Sequence, residues 1–312
     1  MSLEQSRDLP QPPAELFRPR VAAPPRLDAR PPLSRGREVV RRLRQNRLAL
    51  VGFWVIVVLT VMAVLGPALV PYAYDEQNLL EANEPPSGRH WFGTDDFGRD
   101  VFARTWTGAR ISLFVGFTAA FLDLVVGVLY GGISGYVGGT TDDVMMRLVD
   151  LLFGVPHLLA TVLFMVVLGP GLFTIIIAMV ATGWLGMARL VRGQVLQLRE
   201  LEYVQAAHAI GVPFWRMLAR HLVPNAMGPI LVNVTLTVPA AIFTEAALSY
   251  LGLGVPLPLA SWGTMTADAL VTILTGQTWR LFFPAFFISL TMFAFNAFGD
   301  GLRDALDPRL KR

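Results

Sequence analysis

Cysteine is absent from this 312-residue chain, and lysine occurs once, as Lys311. The first absence excludes disulfides and thiol chemistry and leaves the redox compartment unassigned. The second bears on energy supply. A P-loop needs G-x-x-x-x-G-K-[ST], with the Lys reaching the phosphates, and no such motif precedes Lys311. If ATP drives this protein, another chain binds it. Charge is scarce as well, at 16% of residues against 54% hydrophobic, and a mean hydropathy of +0.51 is too apolar for an ordinary soluble domain. The arginines flank apolar spans rather than interleave with aromatics, which argues against nucleic-acid binding. H-E-x-x-H and G-x-S-x-G are missing too, as is a paired intramembrane Asp, so a membrane-embedded enzyme has no visible machinery.

What is present is a set of long apolar spans. Residues 1–34 carry eight prolines with little apolar periodicity and are expected to be a disordered cytoplasmic tail; no apolar h-region of a signal peptide follows the start. Residues 35–47 hold six arginines interrupted by Val39, Val40 and Leu43. This stretch reads either as a basic juxtamembrane amphipathic segment or as a topogenic charge cluster. Crossing a hydrocarbon core of ~30 Å takes about 20 apolar residues, and six stretches qualify or nearly so: 48–70, 111–137, 148–168, 171–190, 225–248 and 281–299. The fold class is therefore all-α, a polytopic membrane bundle of six transmembrane helices within 48–312. Arginines before Leu48 and at 189, 192, 199, 216 and 220 place those segments in the cytoplasm, the acidic loop from Asp75 to Asp100 belongs outside, and both termini fall inside. Gly127, Gly131 and Gly135 form two overlapping GxxxG pairs for close helix contact.

The most informative connection is 193–224. Tyr203, Ala206, Ala207 and Ile210 recur at helical spacing, Gly211 suits a left-handed helix cap, and Pro213 suits the start of a second helix. The run Glu202-Tyr203-Val204-Gln205-Ala206-Ala207-His208-Ala209-Ile210-Gly211, followed by Pro224-Asn225, resembles the cytoplasmic "EAA" coupling loop of ATP-binding-cassette importer permeases. Gln205 stands at the usual Glu position, and His221 and Val223 replace the usual apolar pair. Earlier in the chain, His90-Trp91-Phe92-Gly93-Thr94-Asp95-Asp96-Phe97-Gly98-Arg99-Asp100 and Gly108-Ala109-Arg110-Ile111-Ser112-Leu113 resemble the "FGTD..GRD" and "GAR.SL" signatures of C-type permeases of the dipeptide, oligopeptide and nickel importers. In the same loop Thr94 or Asp95 is placed to cap a helix, and Arg99 and Asp100 either to pair or to satisfy exposed backbone. Glu245 to Gly254, Ser261-Trp262-Gly263 and Phe295 to Asp304 extend the likeness, which runs from about Arg41 to Arg312.

The resemblance implies a type I ABC importer permease fold and the role of a non-catalytic subunit for di- or oligopeptide import. It implies Tyr203, Gln205, Ala206, Ala207, His208, Ile210 and Gly211 as the ATPase-coupling residues. It also implies a B-type permease as heterodimer partner, two ABC ATPase subunits that hold the ATP and Mg, an extracytoplasmic solute-binding protein, and a bacterial or archaeal cytoplasmic membrane. Nickel or another small solute is an alternative cargo. A stand-alone channel or secondary transporter is a more remote alternative, which would leave the hairpin without a purpose. Two acids lie within spans, where charge is costly and marks function or pairing. Asp123 either faces a water-filled passage, attracting an amino group or cation, or pairs with another subunit. Glu245 is a candidate for the pathway or for the outer gate. His157 reads as a packing residue, and no metal site is expected. Asp143, Arg147 and Asp150 are spaced for a helix-surface network, and Thr266 to Leu274 for a short outer helix.

Overall fold

The computed structural model describes residues 35–306; the tail expected over 1–34 and the basic residues Arg309, Lys311 and Arg312 lie outside the described residues. Among these, helices α1 (Arg35–Gln45), α2 (Arg47–Leu65), α3 (Val101–Val137), α4 (Gly139–Phe153), α5 (His157–Leu168), α6 (Leu172–Arg199), α7 (Glu202–Ala209), α8 (Phe214–Met217), α9 (Val223–Tyr250), α10 (Trp262–Asp268), α11 (Thr272–Thr275) and α12 (Trp279–Leu306) follow one another. Five segments are long and apolar enough to cross a membrane: Arg47–Leu69, Val101–Val137, Leu172–Arg199, Phe214–Tyr250 and Trp279–Leu306.

The third expected span, 148–168, is not one straight helix. It is a bent pair, α4 and α5, turned by 82°. Pro156 sits at the N-cap of α5; it has no N–H to give and disfavours helical geometry at Val155, so the helix breaks there. Counted as one bent span, the pair makes a sixth crossing. The connection expected over 193–224 is also shorter as a loop, because α6 persists to Arg199. At its other end α8 runs through a π-helical turn, Leu218–Leu222, into α9.

α1 is a separate helix from α2. Asn46 interrupts them and caps α2, its Oδ1 accepting from the Ala49 N–H at 3.1 Å. Arg37, Val40, Arg41 and Arg44 face outward, whereas Val39, Arg42 and Leu43 are half-buried. α1 thus packs on α12 and turns its other side outward.

α3 is the central rod, packing along α6, α9 and α2, while α12 packs on α2 and α9. With 37 residues it extends about 55 Å, well beyond the hydrocarbon thickness. Small residues let it meet α6 backbone to backbone. A Cβ placed on Gly131 would strike the Ala188 carbonyl oxygen, one on Gly127 would lie 2.5 Å from the Met187 Cβ, and one on Gly135 would lie 2.9 Å from the Arg192 carbonyl oxygen. The two GxxxG pairs are thus a close-packing face. Gly131→Val is expected to cost about 1–3 kcal/mol or more through overpacking, seen as earlier thermal loss of monodisperse protein by size exclusion, with exposed Gly36→Val as the unaffected control.

Polar pairs lock the two ends of the bundle. At the end bearing α7 and α8, Arg192 holds Asp142 with two bonds of 2.6 Å, Ser134 donates to the same carboxylate, and Arg189 meets Asp150 at 2.6 Å. The charge network expected among Asp143, Arg147 and Asp150 therefore takes a different form: the acids of α4 are drawn to arginines of α6 that face them, since a planar guanidinium binds a carboxylate at two points. At the opposite end, Gly98 (φ +68°) turns the chain so that Asp95 Oδ1 accepts from the Phe97 and Arg99 N–H groups, and Arg99 Nε reaches Asp95 Oδ2 at 2.7 Å. Arg99 thus pairs with Asp95 rather than Asp100. Asp100 is the cap of α3, accepting from the Ala103 N–H at 2.7 Å and holding His90 Nδ1 at 2.8 Å. The short helix expected over Thr266 to Leu274 is divided into α10 and α11, because Ser261 and Thr264 form a capping box that starts α10 earlier.

Candidate functional site

The α7 and α8 hairpin projects from one end of the bundle, and its termination is local chemistry. Ile210 closes α7, Gly211 follows at φ +80°, the Gly211 N–H donates to the His208 carbonyl at 3.0 Å, and the Val212 N–H donates to the Ala207 carbonyl at 3.1 Å. That pair of bonds is a Schellman cap, which needs the left-handed conformation glycine supplies without penalty. Pro213 then caps α8.

Burial divides the hairpin into two faces. Val204, Ala207, Met217, Leu218 and Leu222 are buried and join Met187, Val195 and Ile230 in one apolar cluster, so the hairpin is seated on α6 and α9 rather than hung from them. Tyr136 at the end of α3 adds a tether, with its hydroxyl 3.2 Å from His208 Nδ1 and its ring 5.3 Å from that of Phe214. The outward face carries Tyr203 at 43%, Ile210 at 82% and Trp215 at 62% exposure. Of the residues singled out from sequence, Tyr203, Gln205, Ala206, His208, Ile210 and Gly211 are exposed, but Ala207 turns inward. Gln205 is engaged locally, its amide donating to the Glu200 carbonyl at 3.2 Å. Trp215 was missed by sequence reasoning; an aromatic two residues after Pro213, within a basic stretch, was its signal. The assembly offers an apolar, aromatic knob on a rigid base, a form suited to a groove in another protein.

Asp123 lies elsewhere, on the wall of a cavity of about 560 Å3 formed by α3, α5, α6 and α9. His157 lines the same cavity, its Nδ1 2.6 Å from the Thr182 hydroxyl. A stripe of Asn233, Thr237 and Thr244 faces it from α9. These polar residues were overlooked in the sequence, although positions 233, 237 and 244 fall on one side of a helix.

Glu245 is not on that cavity. It is fully enclosed, with Ser261 and Ser249 hydroxyls donating to Oε1 at 2.6 and 2.8 Å and Ser112 reaching Oε2 at 3.5 Å. Ser112 in turn accepts from the Trp262 N–H at 3.1 Å, and Trp262 Nε1 donates to the Thr105 carbonyl at 2.9 Å. This knot ties α3, α9 and α10 together. The structure therefore separates Asp123 from Glu245, and it brings together no group of three or more metal-ligating side chains among the described residues.

Residues 34–86 match the N-terminal transmembrane domain of oligopeptide transport permease C. The dipeptide transport system permease protein DppC of Bacillus subtilis (strain 168) is 58% identical over 283 residues, 91% of this chain and 88% of the relative. The oligopeptide transport system permease protein OppC of the same organism is 61% identical over 280 residues, 90% of this chain and 92% of its own length. OppC of Escherichia coli (strain K12) is 42% identical over 271 residues, 86% and 89% respectively. With residues 127–312 matching the binding-protein-dependent transport system inner membrane component, this multi-pass helical chain belongs to the permease family of ABC importers.

Proposed function

We propose that this chain is the C-type permease of an ATP-driven importer of di- and oligopeptides. It pairs with a B-type permease, two ABC ATPase subunits dock on the α7 and α8 hairpin and hold the ATP and Mg, and an extracytoplasmic solute-binding protein delivers cargo to the other end. The observation that carries this reading is the hairpin itself: an exposed apolar knob seated on the inner core, so that a push on Ile210 or Tyr203 is borne by α6 and α9. Rigid seating is what coupling requires, since closure of a docked partner must shift the spans rather than bend a loop. Peptide cargo is supported by relatives named for dipeptide and for oligopeptide transport at similar identity.

Orientation rests on charge. Arg189, Arg192, Arg199, Arg216 and Arg220 cluster at the hairpin end, and Asp75, Glu76, Glu81, Glu84 and Asp95 at the other; by the positive-inside rule this supports a hairpin and termini in the cytoplasm, read here as that of a bacterial or archaeal cell. The test is affinity purification of the full chain from its native membrane, followed by reconstitution in proteoliposomes. Co-elution of a second permease and ATPases, with hydrolysis and peptide uptake stimulated by peptide-loaded binding protein, is the expected result. A chain that purifies alone and conducts ions without ATP would overturn the reading.

A further inference from the structure

Within the cavity between α3, α5, α6 and α9, the Asp123 side chain is 93% buried, being 7% exposed, and its Oδ1 is sealed from solvent with no hydrogen-bond partner among the described residues. A buried carboxylate in this state is costly and calls for a cation or a donor. Among the described residues, neither arginine nor lysine lines the cavity. Yet the fold keeps room for the carboxylate: α6 places Gly183 beside it, and a Cβ there would lie 2.5 Å from Oδ2 and 2.7 Å from Oδ1.

The α9 wall supplies acceptors rather than charge. Asn233, Thr237 and Thr244 present amide and hydroxyl oxygens from α9, and an ammonium has three N–H donors to place. At about 560 Å3 the cavity falls within the range of small-molecule sites. Gly186, Leu236 and Ala240 are exposed along its mouth, so it opens to the surface of the chain.

We propose that Asp123, with the polar stripe of α9, forms a binding subsite for a protonated primary amine, the N-terminal ammonium of the peptide cargo. The proposal rests on the peptide-import reading and adds to it the group by which cargo is held inside the membrane. Every unblocked peptide carries that ammonium whatever its side chains, so one carboxylate serves many sequences. A hydroxyl and amide wall on α9 places no further charge requirement on the rest of the peptide.

The absence of cysteine makes a direct test possible. In the complete complex, Ala240→Cys puts the chain's sole thiol at the cavity mouth, and the complex without that substitution gives the partner background. Modification rates are compared for cationic aminoethyl and anionic sulfonatoethyl methanethiosulfonate, with Asp123 intact and in Asp123→Asn. The cation-to-anion rate ratio is expected to be at least about five-fold higher with Asp123 intact. Tri-alanine is expected to slow labelling and N-acetyl-tri-alanine not to, and Asp123→Asn removes that difference.

Equal rate ratios, or equal protection by the two peptides, would overturn the subsite, for instance because a partner's basic residue already neutralises Asp123. Thr244→Cys is a second reporter; if neither cysteine reacts, the cavity is closed to water and the proposal falls. Peptide uptake by the same wild-type complex is measured separately. Uptake without charge preference sinks the subsite alone, whereas charge preference without peptide uptake sinks the peptide-import reading.

Discussion

Uptake driven by ATP is expected to fall at least about 30-fold in Ile210→Asp, with the protein remaining folded. Ile210 is 82% exposed and sits at the C-cap of α7, where its backbone rather than its side chain serves the Schellman turn. The substitution therefore leaves the buried face of Val204, Ala207 and Met217 intact. In an interface, an apolar anchor of this size carries about 2–4 kcal/mol, and a carboxylate forced into the same pocket adds a desolvation penalty. The measurement is peptide uptake and stimulated ATP hydrolysis by the reconstituted complex, beside size exclusion and co-elution of the ATPases. Normal uptake at wild-type ATPase levels would exclude the hairpin knob as the docking element. Ala207→Arg, by contrast, strikes the core cluster, so its failure would report folding and not docking.

Glu245→Ala should destabilise the bundle by on the order of 3 kcal/mol, while Glu245→Gln should lose only about 1 kcal/mol and keep the transport kinetics of the wild type. The reason is in the knot. Removing the carboxylate leaves the Ser112, Ser249 and Ser261 hydroxyls to find new acceptors in a sealed space, and it opens a void beside Gly263, where a Cβ would already lie 2.8 Å from Glu245 Oε2. Glutamine keeps the shape and an acceptor oxygen. Thermal loss of monodisperse protein separates the two variants, and peptide uptake gives KM and kcat for each. A cargo-dependent rise in KM for Glu245→Gln would show that Glu245 touches the passage after all.

How far the sequence reached differs from one feature to the next. The Schellman cap was legible because it is local: a glycine at the end of a helical run and a proline two residues later suffice to write it. The α3 and α6 contact was legible for a related reason, since glycines spaced by four leave a groove wherever their helix finds a neighbour. Which residues of α7 face a partner was not legible. Tyr203, Ala206, Ala207 and Ile210 share helical spacing, but Ala207 belongs to the buried side because α6 and α9 approach α7 from that direction. The 82° bend between α4 and α5 was half visible in Gly154 and Pro156, yet hydropathy averaged over it.

Ion pairs were the least legible. Asp95 and Asp100 had several basic neighbours within a few residues, and Asp142 and Asp150 only Arg147, yet the choice fell to groups brought near by chain reversal or by a facing helix. By itself, the sequence determined that this chain is a bundle of membrane spans with a short helical hairpin between two of them, because apolar length, arginine placement and turn residues act over short distances. Only the tertiary structure decided that Asp123 lines a cavity without a hydrogen-bond partner among the described residues while Glu245 is sealed in a knot of hydroxyls. Two acids in apolar helices look alike until neighbouring helices supply donors to one and leave the other buried at a cavity wall without one.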